Sequence, residues 1–364
     1  MSDVSLSEVL VRIRPTDAQA ARRARLWQRR LTKPPGSLGR LEALSIQLAG
    51  IFGQERPQPR GKTVIVAAGD HGVVAQGVTG YPREVTAQMV LNFLAGGAAV
   101  SVMARHADVR LVVVDAGIAT ELPSHPDLHR VRAGRGTADI SGGPAMSREQ
   151  AEYSLLAGVH LAMEVAEAGT DLIGTGDMGI GNTTASSAIA TVLTGRPPEE
   201  TTGKGTGRTP EELRHKVEVV RRCLLINRPD PGDALDVLAK VGGFEIGVLA
   251  GVVLGGAMMR RAVVLDGFIS GAAALIACGL CPTARDYLIA SHRSAERGHR
   301  AVLAHLRLRP LLDLRMRLGE GTGAVLAMGI VEAAAACLSE MATFKEAGVS
   351  DRALRRTPAT ELDH

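Results

Sequence analysis

Two hydrophobic periods alternate along the chain. Apolar positions recur at helical spacing through the first sixty residues and predict helices over Thr16–Leu31 and Leu38–Ile51. Lys33-Pro34-Pro35-Gly36-Ser37 between them reads as a sharp turn, because neither proline continues a helix comfortably. The period then changes. Thr63–Ala68 (TVIVAA) is a short, β-branched run without alternation, the pattern of a parallel strand covered on both faces. Val109–Val114, Asp171–Gly174 and Ala262–Leu265 repeat it. These runs give way to loops rich in Gly and Asp: Gly69-Asp70-His71-Gly72, Asp115-Ala116-Gly117 and Asp266-Gly267. Helical segments fall between them at Glu84–Phe93, Arg148–Glu167, Thr183–Leu193 and Pro210–Leu225. Strand, Gly/Asp loop and helix in repetition predict an α/β fold with a doubly wound, mainly parallel sheet. Ligands in such sheets lie beyond the carboxyl ends of the strands, which points to the Gly/Asp loops. The stretch from Ser294 to Phe344 returns to helix. Residues 60–295 are therefore expected to form an α/β substrate-binding domain, with 1–59 and 296–364 making a smaller helical one.

Composition narrows the function. The chain has 364 residues, 45% hydrophobic but only 2% aromatic, so its core must be built from Ala, Val, Leu and Ile. The formal charge of +4 comes from arginines scattered over helix faces, and one Trp with three Tyr provides no base-stacking platform; nucleic acid is not an expected partner. Cys223, Cys278, Cys281 and Cys337 make no secreted disulfide framework, and the lone Cys278/Cys281 pair in an apolar stretch reads as buried thiols rather than a metal site. Charges run through Met1–Arg14, so no signal peptide is read there. The most apolar region, Val241–Cys281, is interrupted by Glu245, Arg260, Arg261 and Asp266 and is too broken for a membrane span. A cytoplasmic protein is the expectation.

Three glycine-rich loops carry candidate chemistry. Gly174-Thr175-Gly176-Asp177-Met178-Gly179 is a literal GxGxxG, yet it runs on through Ile180-Gly181-Asn182-Thr183-Thr184 before the helix, and Arg196-Pro197-Pro198 stands where a dinucleotide site needs a strand ending in an acid. A nicotinamide-dependent dehydrogenase is thus the weaker alternative, alongside a non-catalytic nucleotide-binding protein. Asn182, Thr183 and Thr184 at a helix start offer hydroxyls and backbone N–H groups to an anion, beyond what plain capping requires. Gly203-Lys204-Gly205-Thr206-Gly207 resembles a phosphate loop, but glycine follows Lys204 where a Walker loop needs Ser or Thr for magnesium. Lys216 on the next helix is in reach of a phosphate or ribose, although a lone helix lysine is more often solvated. In Arg317-Leu318-Gly319-Glu320-Gly321-Thr322-Gly323, a carboxylate stands between two glycines before the apolar helix Ala324–Leu338. It either complements the helix dipole or, if buried, serves as a general base. Val112–Thr120 resembles the diphosphate-sugar loop of ordinary phosphoribosyltransferases, but Ala116 replaces its second acid, which speaks against magnesium-dependent use of phosphoribosyl diphosphate.

Together these segments resemble the nicotinate-nucleotide–dimethylbenzimidazole phosphoribosyltransferase family. The resemblance spans nearly the whole chain. It rests on KPPGSLGRLE from Lys33, GDHGV from Gly69, YPREVTAQ from Tyr81, RGTADISGGPAMSR from Arg135, GDMGIGNTT from Gly176, KVGGF from Lys240, LDGFIS from Leu265, SHRSAERG from Ser291 and MRLGEGTGA from Met316. It implies a Rossmann-like sheet with a smaller helical domain from both termini, a homodimer, small-molecule substrates, and transfer of phosphoribose from nicotinate mononucleotide to a benzimidazole without cofactor or metal. It places Glu320 on the catalytic base and Lys216 on a lysine close to the nucleotide. Asp177 falls where the family often has Glu, one methylene longer. Substrate contacts are implied for Tyr81 and Gln88 in the base-pocket segment, for Gly179, Gly181, Asn182, Thr183, Thr184, Gly203 and Gly205 in the two cradle loops, and for Ser291 and Arg317. Tyr81 stands where some relatives have Ser, so the preferred base is open.

Overall fold

The computed structural model describes residues 4–203 and 209–350. Among them one six-stranded sheet runs in the order β3-β2-β1-β4-β5-β6. Its strands are β1 (Lys62–Gly69), β2 (Arg110–Gly117), β3 (Leu128–Arg130), β4 (Leu172–Met178), β5 (Ala262–Leu265) and β6 (Leu288–Ala290), and every pairing is parallel. This is the Rossmann-like doubly wound order, with its topological switch between β1 and β4. The helices are α1 (Leu6–Arg12), α2 (Ala18–Gln28), α3 (Arg40–Phe52), α4 (Val85–Leu94), α5 (Ala99–His106), α6 (Arg148–Glu167), α7 (Asn182–Thr194), α8 (Pro198–Thr201), α9 (Pro210–Asn227), α10 (Ala234–Val241), α11 (Phe244–Met258), α12 (Phe268–Leu280), α13 (His299–His305) and α14 (Thr322–Glu340).

The four expected strands are present, and all are central. The edge strands β3 and β6 are three residues each, too short for a periodic signal. β4 also runs further than its sequence suggests. Gly174 ends the expected strand and Gly176 reads as loop, yet both lie inside β4. The reason is packing: a Cβ on Gly174 would meet Met328 and Ala324 of α14, and one on Gly176 would meet the backbone of Glu320. Glycine here lets a helix and its leading turn lie directly on the sheet. Ile173, one residue earlier, points to the opposite face toward Gly256 of α11. α11 and α14 therefore cover opposite faces of the sheet.

α11 is apolar throughout except for Glu245 and fully buried. It meets α6 backbone to backbone, because a Cβ on Gly158 would overlap the Val248 carbonyl oxygen and one on Gly251 that of Leu155. Gly158→Val is expected to force the helices apart, at a loss of about 1–3 kcal/mol or more. Urea unfolding checks this; an unchanged midpoint would mean that the crossing has slack.

The terminal helices share the main core: Leu44, Leu48 and Ile51 of α3 and Val325, Met328 and Val331 of α14 belong to the same apolar cluster as the sheet. A small satellite of Ala24, Ala49 and Leu338, with Trp27 beside it, ties α2 and α3 to the end of α14, and Trp27 Nε1 donates to the Leu338 carbonyl at 3.1 Å. All four cysteines are free, and burial pushes the Cys278 thiol up to about 12. Two stretches outside Val241–Cys281 reach the length and apolarity of a membrane crossing, Val85–His106 and Thr322–Glu340. The first is broken between α4 and α5, and the second is α14, whose apolarity serves the core.

Candidate active site

Beyond the carboxyl ends of the strands, at the β1/β4 switch, lies a cleft of about 620 Å³. β4 delivers Asp177 to it and the following turn delivers Gly179–Thr183; Lys216 comes from α9 and Glu320 from the turn before α14. An apolar wall is made by Val78, Tyr81, Val85, Met89, Met178 and Leu318.

One part of the cleft suits an anion. α7 begins at Asn182 after Gly181, which takes φ 96° and has no capping side chain, so the helix start meets the cleft with its dipole uncapped by any side chain. Lys216 is 1% exposed, so of its two readings the solvated surface lysine does not hold. Its Nζ donates to Thr183 Oγ1 at 2.7 Å. A buried ammonium at a helix N-terminus is a phosphate-binding arrangement.

Carboxylates crowd the rest. Glu320 is 4% exposed, and burial raises its pKa above the ordinary range against one long hydrogen bond, 3.4 Å, from the Val100 N–H. Burial also raises Asp177 well above its usual value, aided by Asp266, Glu245 and Glu320 and opposed by the amide of Asn182 at 3.0 Å. Asp177 Oδ1 has no hydrogen-bond partner among the described residues. A carboxylate kept only to complement a helix dipole has its pKa lowered by the N–H groups it faces; Glu320 has the opposite shift, as a poised base does.

Of the residues expected at the site, Tyr81, Asp177, Gly179, Gly181, Asn182, Thr183, Lys216, Arg317 and Glu320 line the cleft. Gln88 is exposed on α4 next to the lining residue Met89. Thr184 is fully buried in the first turn of α7, and Gly203 packs behind the lining residue Glu296. Ser291 is fully buried and donates to the Asp266 carbonyl at 3.0 Å. Gly205 lies outside the described residues. Sequence reasoning missed Phe268, His292, Ser294 and Arg315, which also line the cleft. It also missed Asp266 as a site residue, and the buried pair His71 Nε2–Glu245 Oε1 at 2.7 Å beneath the Gly179 turn. The only available signal was position: Asp266 and His71 both follow central strands within two residues.

A family model described as phosphoribosyltransferase matches residues 13–349. The chain belongs to that phosphoribosyltransferase family. It is 59% identical over 347 residues to the nicotinate-nucleotide–dimethylbenzimidazole phosphoribosyltransferase of Roseiflexus sp. strain RS-1, covering 95% of this chain and 98% of that protein. It is 58% identical to the protein of the same name from Chloroflexus aggregans, with the same coverage. The crystal structure of the enzyme so named from Thermus thermophilus superposes with a TM-score of 0.88 at 49% identity, over 92% of this chain and 99% of that one. The phosphoribosyltransferase family thus accounts for the fold order as well as the sequence segments.

Proposed function

We propose that the chain transfers the phosphoribosyl group of nicotinate mononucleotide to a ring nitrogen of 5,6-dimethylbenzimidazole or a related base, giving α-ribazole 5′-phosphate and nicotinate for cobalamin synthesis. The observation that carries this reading is a single cleft lined both by a buried carboxylate of raised pKa, Glu320, and by the Lys216–Thr183 pair at a helix start. The donor and the acceptor each have a matching group.

The chemistry needs little more. In nicotinate mononucleotide the ring nitrogen on C1′ is formally positive, so nicotinate leaves with the bonding electron pair as a neutral ring nitrogen, without protonation or a Lewis acid. The unprotonated benzimidazole nitrogen attacks C1′ from the opposite face, converting a β- to an α-riboside, while the N–H proton on the other ring nitrogen passes to Glu320. Lys216, Thr183 and the start of α7 hold the phosphate, and the cleft supplies proximity. A cationic pyridinium arriving near Asp177 lowers its pKa, and the resulting carboxylate faces the positive charge that develops on the ribose. The apolar wall around Tyr81 and Met178 suits a flat, methylated base.

The free thiols fit a reducing cytoplasm, where we place the protein. We take it as a homodimer with terminal segments 1–59 and 296–364 forming its helical lobe, as the resemblance implies. The test is direct. Purified protein with nicotinate mononucleotide and 5,6-dimethylbenzimidazole, in excess chelator, should yield α-ribazole phosphate by mass spectrometry. Binding of the nucleotide with no release of nicotinate would reduce the protein to a binding module.

Thr183→Ala is expected to weaken nicotinate mononucleotide by about tenfold, because Lys216 Nζ loses an acceptor at the start of α7, while benzimidazole affinity changes little. Calorimetric titration of each ligand checks this; equal losses would indicate a collapsed loop.

A further inference from the structure

Glu320 sits in an unusual backbone. Gly319, Glu320 and Gly321 have φ of 85°, 63° and 88°, three successive residues in the left-handed region. Glycine adopts that conformation freely, but for Glu320 it is strained by about 1–3 kcal/mol and persists only if the surroundings enforce it. The helix that follows has a second peculiarity. Its N-cap is Gly321, which has no side chain to accept the first N–H groups of α14. A side chain there has no room, since a Cβ would lie 2.6 Å from Val64 Cγ2.

Both needs are met by one residue from another element. Asp266, immediately after β5 and 1% exposed, accepts from Gly321 N at 3.2 Å through Oδ2, and from Gly323 N at 2.7 Å and Ala324 N at 3.3 Å through Oδ1. These bonds begin one residue after Glu320. On its other side the loop is held by Glu320 N donating to the Asp177 carbonyl at 3.1 Å and Thr322 Oγ1 donating to that of Gly319 at 2.9 Å. Asp266 is itself braced where Ser291 Oγ donates to its carbonyl oxygen at 3.0 Å.

We infer that Asp266 is the positioning residue of the site: it caps α14 from β5 and so locks Glu320 in the left-handed conformation that points its carboxylate into the cleft. This rests on the reading of Glu320 as the base. It also explains why an acid is tolerated among carboxylates. Burial pushes Asp266 up to about 7, with Glu320 contributing, while its three N–H partners pull it down and keep the anion useful as a cap. The titratable groups facing it are Glu320 on the turn before α14, Asp177 on β4 and His292 after β6, with Glu245 of α11 behind Asp177. Burial holds His292 below its ordinary range, so the imidazole supplies no counter-charge to replace the backbone donors.

Asp266→Asn keeps the shape but turns an amide N–H₂ toward backbone N–H groups. Turnover of the full-length protein is expected to fall by up to about 10²-fold, as for a misplaced catalytic group, with KM for nicotinate mononucleotide within about twofold. Hydrogen exchange at residues 320–324 should accelerate. The acid limb of the kcat profile, which in the wild type contains both carboxyls, should move to lower pH because Glu320 loses a like-charged neighbour. A variant with a lower thermal midpoint but wild-type kcat, exchange and acid limb overturns the inference. Should the Asn variant not fold, Ser291→Ala loosens Asp266 without touching its carboxylate; turnover should then fall and exchange at 320–324 rise by smaller amounts, with the acid limb unmoved, and wild-type turnover and exchange would overturn the inference. Glu320→Gln made in parallel separates the two claims. If it turns over normally the base reading fails, and the cap then stands or falls on the exchange at 320–324 alone.

Discussion

Glu320→Gln is expected to lower turnover by about 10²–10⁴-fold, the usual contribution of a general base, while nicotinate mononucleotide affinity changes little. The amide keeps the size of the carboxyl but cannot take the proton of the incoming base. The pH dependence gives a second signature. Burial raises the Glu320 pKa above its ordinary range, so the wild-type rate should fall as pH drops through that raised value, earlier than for an exposed glutamate. In the Gln variant the Glu320 component of this limb should vanish. A carboxylate that merely complements the dipole of α14 leads elsewhere: a stability loss of about 0.3–1 kcal/mol with normal turnover of the folded fraction. Thermal midpoint and kcat measured on one preparation decide between them. A slightly less stable but fully active variant would remove Glu320 from the mechanism.

The central strands and most helices were legible because their signals are local. TVIVAA and its counterparts are short apolar runs that end in Gly or Asp, and the terminal helices keep their period. What escaped depends on contacts between distant segments. β4 was cut short at Gly174 because glycines read as turn, whereas here they admit α14. Lys216 was placed near the nucleotide by the resemblance, but its burial was not legible, since nothing in α9 announces that Thr183 lies 2.7 Å away. Asp266 carried a strand-end signal, but its partners are backbone N–H groups 55 to 58 residues later, and a backbone donor leaves no mark on residue type. Glu320, by contrast, was visible because an acid between two glycines at a helix entrance is rare enough to question.

Gly176→Ala is expected to be nearly as damaging as the loss of the base, although the residue has no chemistry of its own. The added Cβ would stand 2.5 Å from the Glu320 carbonyl oxygen, 2.6 Å from its carbonyl carbon and 2.7 Å from Gly321 N. All three are backbone atoms in a loop already pinned by Asp266 and by the Asp177 carbonyl, so no rotamer change relieves the overlap. Ordinary carbon contacts lie near 3.5–4.0 Å, and the loop must retreat by about 1 Å. A displacement of that size at a catalytic group lowers turnover by about 10²-fold. Gly174→Ala is the control on the same strand and the same face. Its Cβ meets the Met328 Cε at 2.9 Å, the far end of a flexible side chain that yields by rotating, and the Ala324 Cβ at 3.3 Å, which need give only a few tenths of an ångström, so the loss of activity should be much smaller than for Gly176→Ala. Nicotinate mononucleotide binding should survive in both, because the Lys216–Thr183 pair is not displaced. Wild-type kcat in the Gly176 variant would mean that the Glu320 turn tolerates movement, and the strained, clamped loop would then have no catalytic purpose.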